Sequence, residues 1–128
     1  MDKKIISAAG FFGLTAIILG AFAAHALKKI LSIDQLASFE TGVKYQMYHA
    51  LFLLFLGIHQ HIPTSIKRTV FVLVLCGIIL FSGSIYLLST TAITSVNFKS
   101  IGFVTPIGGL LLILAWGVLM IHFLKKKS

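Results

Sequence analysis

Side chains that can do chemistry cluster between Glu40 and Leu51, at the start of a long apolar stretch. Thr41, Tyr45 and His49 are spaced four residues apart, so on a helix they share one face, with Gln46 on their flank. The opposite face is entirely apolar and is formed by Val43, Met47, Ala50 and Leu54. The spacing predicts a helix that offers hydroxyl, phenol, imidazole and amide groups to polar partners on one side and hydrocarbon to lipid on the other.

The same residue types would also suit an enzyme or a metal centre. Ser84, His49 and Glu40 supply a nucleophile, a base and an orienting carboxylate, and His25 with His49 supplies two metal ligands. Neither set has a diagnostic spacing such as that of H-E-x-x-H or G-x-S-x-G. We therefore assign no catalytic residue, no metal and no cofactor, and expect a protein that is not an enzyme.

Composition places these side chains in a membrane protein. Of the 128 residues, 58% are hydrophobic and 11% are charged, and the mean hydropathy is +1.02. Soluble domains are nearer 45–50% apolar and about 25% charged. The net charge of +8 does not indicate nucleic-acid binding, because the basic residues lie at the ends of apolar runs rather than on one face.

Four apolar runs predict an all-α fold, an integral membrane four-helix bundle. We place the spans at about residues 5–27, 43–60, 68–89 and 101–124, which leaves room for a single domain over 1–128. Between the first two spans, Ser32 and Gln35 have the spacing of a capping box. We expect a short amphipathic helix there, between Lys28 and Glu40, lying at the membrane interface.

The first span also has features of a cleaved secretory signal, with Lys3 and Lys4 before an apolar run and the sequence Ala24-His25-Ala26 after it. Because the run is long for a signal, we expect a permanent helix. Small residues recur along it, namely Ala9, Gly13, Ala16, Gly20 and Ala24. Such a face permits close helix packing, either within the chain or against a second copy in a homo-oligomer.

Basic residues predict the orientation of the four spans. One side carries seven Lys and Arg residues: Lys3, Lys4, Lys67, Arg68, Lys125, Lys126 and Lys127. The other side carries four: Lys28, Lys29, Lys44 and Lys99. By the positive-inside rule, both termini lie in the cytoplasm of a multi-pass protein of the cell membrane.

With this topology, most polar residues fall toward the non-cytoplasmic end of the spans. They are His25, Tyr45, Gln46, His49, Ser82, Ser84, Tyr86 and Thr105. Unsatisfied polar groups in lipid cost several kcal/mol, so we expect one shared layer near the outer leaflet. Together with Thr41 and Lys44, these residues form our candidate ligand-binding pocket.

Four blocks of the sequence resemble a known family. They are GAFAAHALK at Gly20–Lys28, FETGVKYQMYHAL at Phe39–Leu51, FSGSIYLL at Phe81–Leu88 and TPIGG at Thr105–Gly109. They are similar to the signature blocks of the domain-of-unknown-function family 423, whose members also resemble transmembrane-protein-256-like proteins. The resemblance implies a small four-helix protein of the bacterial inner membrane and implies no activity.

Three functions are compatible with these patterns. The first is binding of a lipid head group or a small solute in the outer polar pocket, since polar residues within membranes are functional by default. The second is a small transporter or channel subunit, and the third is a purely structural membrane interaction protein. The expected partners are membrane lipids or a second copy of the chain, and not nucleic acid.

Overall fold

The computed structural model describes residues 2–91 and 102–126. Helix α1 is Asp2–His25, a 3₁₀ turn is Leu27–Lys29, α2 is Ile33–Ile58, α3 is Thr64–Ser89 and α4 is Val104–Lys125. The predicted all-α fold with four long helices is confirmed. The expected start of the fourth span at residue 101, and Lys99 and Lys127 of the charge count, lie outside the described residues.

The segment after the first span differs from the prediction. Ser32 caps α2, because its Oγ accepts a hydrogen bond from the Gln35 N–H at 3.1 Å, and the Gln35 Oε1 accepts one from the Ser32 N–H at 3.1 Å. The capping box is therefore confirmed. The short separate helix is not, since α2 continues unbroken from Ile33 to Ile58. No proline interrupts it, and Leu36 and Phe39 anchor its first turns on the end of α1.

The helices pack in chain order, α1 on α2, α2 on α3 and α3 on α4. Small residues of α1 serve the first of these contacts: Ala9, Ala16 and Ala23 are buried, and a Cβ on Gly20 would lie 3.5 Å from Val43. This supports packing within the chain for that face. Only Ala24 of the predicted small residues is exposed.

Most of the outer surface is hydrocarbon. In the part of the chain that the structure describes, three helices are long and apolar enough to cross a membrane: α1 with its 3₁₀ turn, α3 and α4. α2 is not among them, because it carries the polar residues of the candidate site. Its Gln46 and His49 are each 4% exposed. α2 thus turns these two polar side chains toward neighbouring helices.

At the end opposite the candidate site, an ion pair joins the first and third helices. The Lys67 Nζ lies 3.0 Å from the Asp2 Oδ1, and the lysine is 4% exposed. A buried ammonium is tolerated only when it is paired and hydrogen-bonded. Asp2 therefore holds the beginning of α1 against the beginning of α3.

Candidate functional site

Gln46 is the centre of a hydrogen-bond network that joins three helices. Its Nε2 donates to the Phe12 carbonyl at 3.0 Å and to the Thr15 Oγ1 at 2.7 Å, both on α1. Its Oε1 accepts a hydrogen bond from the Tyr86 hydroxyl of α3 at 2.6 Å. Both amide hydrogens and the amide oxygen are thereby engaged.

A second bond joins α2 and α3 beside this network. The Ser82 hydroxyl, which is 1% exposed, donates to the Gly42 carbonyl at 2.8 Å. The helices approach closely here, since a Cβ on Gly42 would lie 2.8 Å from the Tyr86 ring. A glycine at this position gives the serine access to a backbone carbonyl that a larger residue would cover.

His49 connects α2 to α4. The Trp116 indole N–H donates to the His49 Nε2 at 3.1 Å, and the His49 Nδ1 lies 2.7 Å from the Tyr45 carbonyl. Because an indole nitrogen only donates, Nε2 is the acceptor and the proton is on Nδ1, where it bonds the carbonyl. The imidazole is neutral, and neither nitrogen is left for a metal or for base catalysis.

The last pair joins α3 to α4. The hydroxyls of Ser84 and Thr105 are hydrogen-bonded to each other, and Ser84 also donates to the Phe81 carbonyl at 3.0 Å. Thr105 lies in the first turn of α4. Each of the three helix-to-helix contacts along the chain thus contains at least one polar bond.

Four of the predicted pocket residues do not join these networks. His25, Thr41, Lys44 and Tyr45 are exposed, with Tyr45 at 41%. The interior face of α2 follows Gly42, Gln46, His49 and Leu53 rather than the series through Thr41 and Tyr45. Gln46, expected on the flank, is therefore the central residue. The Tyr45 ring does lie beside the His49 imidazole, with 6.5 Å between centroids, but Tyr45 is at the exposed edge of that face.

The polar groups also do not form one layer. Gln46 bonds Thr15, which lies near the midpoint of α1, whereas Ser84 and Thr105 meet near the end of α3 and the start of α4. The bonds form a ladder that runs from the middle of the helices to one end. The prediction of one layer near the outer leaflet is corrected accordingly.

Two partners in the ladder carried little signal in the sequence. Thr15 is a single hydroxyl in the first apolar run, and it also donates to the Phe11 carbonyl at 2.9 Å. Trp116 is in the body of the fourth span, well away from the interfacial belts where tryptophan is enriched. A tryptophan at that depth needs an acceptor for its N–H, and this need is the signal that would have identified it.

Two open spaces lie beside the ladder. A recess of about 510 Å³ opens between the start of α2, the end of α3 and the start of α4. It is lined by Asp34, Gln35, Ser38, Ile85, Leu88, Ser89, Gly102, Thr105 and Pro106. A crevice of about 260 Å³ between α1 and α3 has Gln46 and Tyr86 in its lining.

Comparison with known proteins identifies the family. The family model described as "Protein of unknown function (DUF423)" matches residues 19–109. This chain belongs to that family. The matched region contains the last seven residues of α1, all of α2 and α3 and the start of α4, so it includes every polar bond of the ladder between α3 and α2 or α4.

Relatives within the family align with nearly the whole chain. A UPF0382 membrane protein of Staphylococcus saprophyticus is 39% identical over 123 residues, which are 96% of this chain and 98% of the relative. A UPF0382 membrane protein of Haemophilus influenzae is 35% identical over 128 residues, which are 100% of this chain and 99% of the relative. The UPF0382 inner membrane protein of Escherichia coli is 31% identical over 122 residues, covering 93% and 88%. No solved structure matches the chain.

These relatives show the class of this DUF423 protein. All three are named as membrane proteins, and that of Escherichia coli as an inner membrane protein. With its apolar helices, the chain is accordingly a small integral membrane protein. The family description and the names of the relatives carry no biochemical activity.

Replacing Trp116 by Phe tests the link between α2 and α4. The phenyl ring keeps the contact with Phe52, now 4.2 Å between ring centroids, but removes the only donor to the His49 Nε2. We expect a loss of about 0.6 kcal/mol, with about 1.7 kcal/mol as the upper bound for such bonds in a membrane. Unfolding by denaturing detergent, in a double-mutant cycle with His49→Leu, measures the coupling. A coupling energy of zero would contradict the bond.

Proposed function

We propose that this protein binds the head group of a membrane lipid in the recess between α2, α3 and α4. The observation that carries the proposal is the composition of the recess wall. The wall contains the Asp34 carboxylate with the Ser38 and Thr105 hydroxyls, and it also contains hydrocarbon from Ile85 and Leu88. A lipid presents the same two chemistries, side by side, at the membrane surface.

Asp34 favours a particular head group. Among residues 2–91 and 102–126, it is the only charged residue in the recess wall, so this wall suits a ligand with a positive group. A primary ammonium has N–H donors that a carboxylate and hydroxyls can accept, whereas a quaternary ammonium has none. The proposed ligand is therefore a lipid with a primary amine, such as phosphatidylethanolamine.

Asp34 also has a simpler role, since an acidic residue in the first turn stabilises a helix by its interaction with the helix dipole. That role explains the carboxylate but does not require a cavity beside it. Nor does it require that the wall continue into hydrocarbon. The recess as a whole supports ligand binding rather than helix capping alone.

The recess replaces the pocket expected from the sequence. The interior polar residues Gln46, His49 and Ser82 form hydrogen bonds between helices, and these bonds favour a structural role for them. Such bonds fix the rotation and register of helices whose surfaces are otherwise uniformly apolar. Of the predicted pocket residues, Thr105 alone lies in the wall of this recess.

The test uses the full chain, purified in detergent and stripped of lipid. Native mass spectrometry compares dioleoyl-phosphatidylethanolamine with its trimethylated analogue dioleoyl-phosphatidylcholine. We expect a preference for the primary amine that Asp34→Asn reduces about tenfold or more, as expected for a lost charged hydrogen bond. Glu40→Gln is the matched control, because it removes a carboxylate of the same helix that lies outside the recess.

A second variant separates loss of charge from loss of space. Ser38→Leu fills the recess, and Ala37→Leu adds the same group to an adjacent exposed position outside it. We expect only the first to abolish binding. Equal binding of the two lipids, or equal effects of Asp34→Asn and Glu40→Gln, would contradict the proposal.

A further inference from the structure

Positive charge exceeds negative charge at the corner where α1 meets α2. Lys28, Lys29 and His25 line an open recess around the 3₁₀ turn, together with Ala24 and Ala26. The turn brings the two lysines beside the end of α1, and all three cationic or titratable side chains are exposed. This corner shares no residue with the recess between α2, α3 and α4.

The chain has too few carboxylates to neutralise this corner. It contains 11 Lys and Arg residues against 3 Asp and Glu residues. Within residues 2–91 and 102–126, the one ion pair uses Asp2 at the opposite end of the helices. Asp34 lies in the other recess, which leaves only Glu40 near the corner. Glu40 and Lys44, although four residues apart on α2, are not within ion-pair distance.

An apolar groove continues from the basic recess down the side of the helices. A second hollow of about 230 Å³ shares Ala24 with the first and is lined by Gly20, Val43, Glu40 and Lys44. Because Gly20 and Ala24 are one helical turn apart, their small side chains leave a channel along this part of α1. Lys44 stands at the upper edge of this channel, where its stem can lie along hydrocarbon and its ammonium at the surface.

We propose that an anionic phospholipid binds at this corner, with its phosphate at Lys28, Lys29 and Lys44 and one acyl chain along Gly20 and Ala24. Charge complementarity selects the head group, because each lysine near a membrane surface attracts anionic lipid. The channel selects a lipid over a free anion. The site is independent of the proposed amine-binding recess, since the two use different residues and opposite charge.

The test again uses the full chain freed of lipid. The probe is dioleoyl-phosphatidylglycerol, compared with dioleoyl-phosphatidylcholine, and the readouts are bound lipid by native mass spectrometry and the thermal stability of the protein. Wild type is expected to bind the anionic lipid about tenfold or more tightly than the neutral one. The preference should fall steeply with salt, because the charges are exposed.

Matched variants locate the site. Lys28→Gln with Lys29→Gln should remove the preference, whereas Lys3→Gln with Lys4→Gln removes an equal charge from the other end of α1 and should keep it. Ala24→Leu should block the channel, and Ala21→Leu adds the same side chain to an exposed position outside it. The altered residues are exposed, so each variant should fold.

Several results would overturn the proposal. Equal affinity for the two lipids would show that the corner has no site for the phosphate. Equal effects of the two pairs of lysine substitutions would show that only the net charge matters. Glycerol 1-phosphate carries the anion without the chains. If it stabilised wild type as much as the lipid did, the corner would be an anion site and not a lipid site. Failure of the amine-binding recess would leave each of these measurements unchanged.

Discussion

Replacing Gly108 by Ala should destabilise this protein more than any other single methyl group added to a helix. A Cβ at this position would overlap the Phe81 nitrogen and would lie 2.7 Å from the Leu80 carbonyl carbon. Both atoms are backbone, so no rotamer change can relieve the overlap, and α3 and α4 must separate. Overpacking costs about 1–3 kcal/mol and occasionally more, and a contact with backbone belongs at the upper end.

The separation should also break a hydrogen bond. Thr105 lies three residues before Gly108, on the same face of α4, and its hydroxyl bonds Ser84. The better helix propensity of alanine returns about 1 kcal/mol at most. We therefore expect a net loss of about 2–3 kcal/mol in the free energy of unfolding, measured by titration with denaturing detergent.

The same helix provides the controls. Gly117 has no atom within 4 Å of its added Cβ, and Gly109 would make an ordinary contact at 3.5 Å with the Phe81 ring. Gly117→Ala and Gly109→Ala should therefore be neutral or slightly stabilising. A Gly108→Ala protein as stable as these two would show that α3 and α4 do not pack as closely as the structure has them.

The four helices could be predicted from the sequence because hydropathy and charge act locally. Apolar runs long enough to cross a membrane, separated by Pro63 and by basic residues, leave little choice of architecture. The Ser32 capping box is equally local, since it needs only residues three apart. The capping box marks where a helix begins, but it does not indicate whether that helix ends before the membrane or continues into it. That depended on Phe39 packing against Ala23 and Leu27 of another helix.

The rotation of α2 could not be predicted from its own residues. Neighbouring positions on a helix differ by about 100°, so the face through Thr41 and Tyr45 and the face through Gly42 and Gln46 are close alternatives. Both contain polar groups. The choice depends on Gly42, where only a glycine lets the Tyr86 ring approach the helix. That contact brings Tyr86 to Gln46, 40 residues away in the chain, and Gln46 is buried beside it.

Replacing Gln46 by Leu is the change with the next largest expected effect. It removes two bonds to α1 and one from Tyr86 at once. Hydrogen bonds between membrane helices contribute about 0.6 kcal/mol each on average, so three predict a loss of about 2 kcal/mol. The measurement is the free energy of unfolding in detergent. Met47→Leu, one residue along α2 and without a hydrogen bond to lose, is the control and should be neutral.

A double mutant shows whether the network behaves as a unit. Tyr86→Phe alone should cost less than Gln46→Leu, because it removes one bond of the three. Once Gln46 is gone, the Tyr86 hydroxyl has lost its acceptor, so removing it as well should cost nothing or restore stability. The two losses should therefore not add. Strict additivity would contradict the network.

Because Gln46 lines the crevice between α1 and α3, the Gln46→Leu variant also tests whether this residue has a structural role or recognises a bound group. Gln46 and Tyr86 form part of its lining, with Phe12, Thr15 and Ile78 among its walls, and it opens sideways. A structural role requires that the leucine variant be less stable in every lipid. If Gln46→Leu were instead as stable as wild type, the polar ladder would not be what holds α1 to α2, and burying an amide there would need another explanation. Recognition of a hydrogen-bonding group in the crevice would then be the first to test, because polar residues within membranes are costly unless they are used.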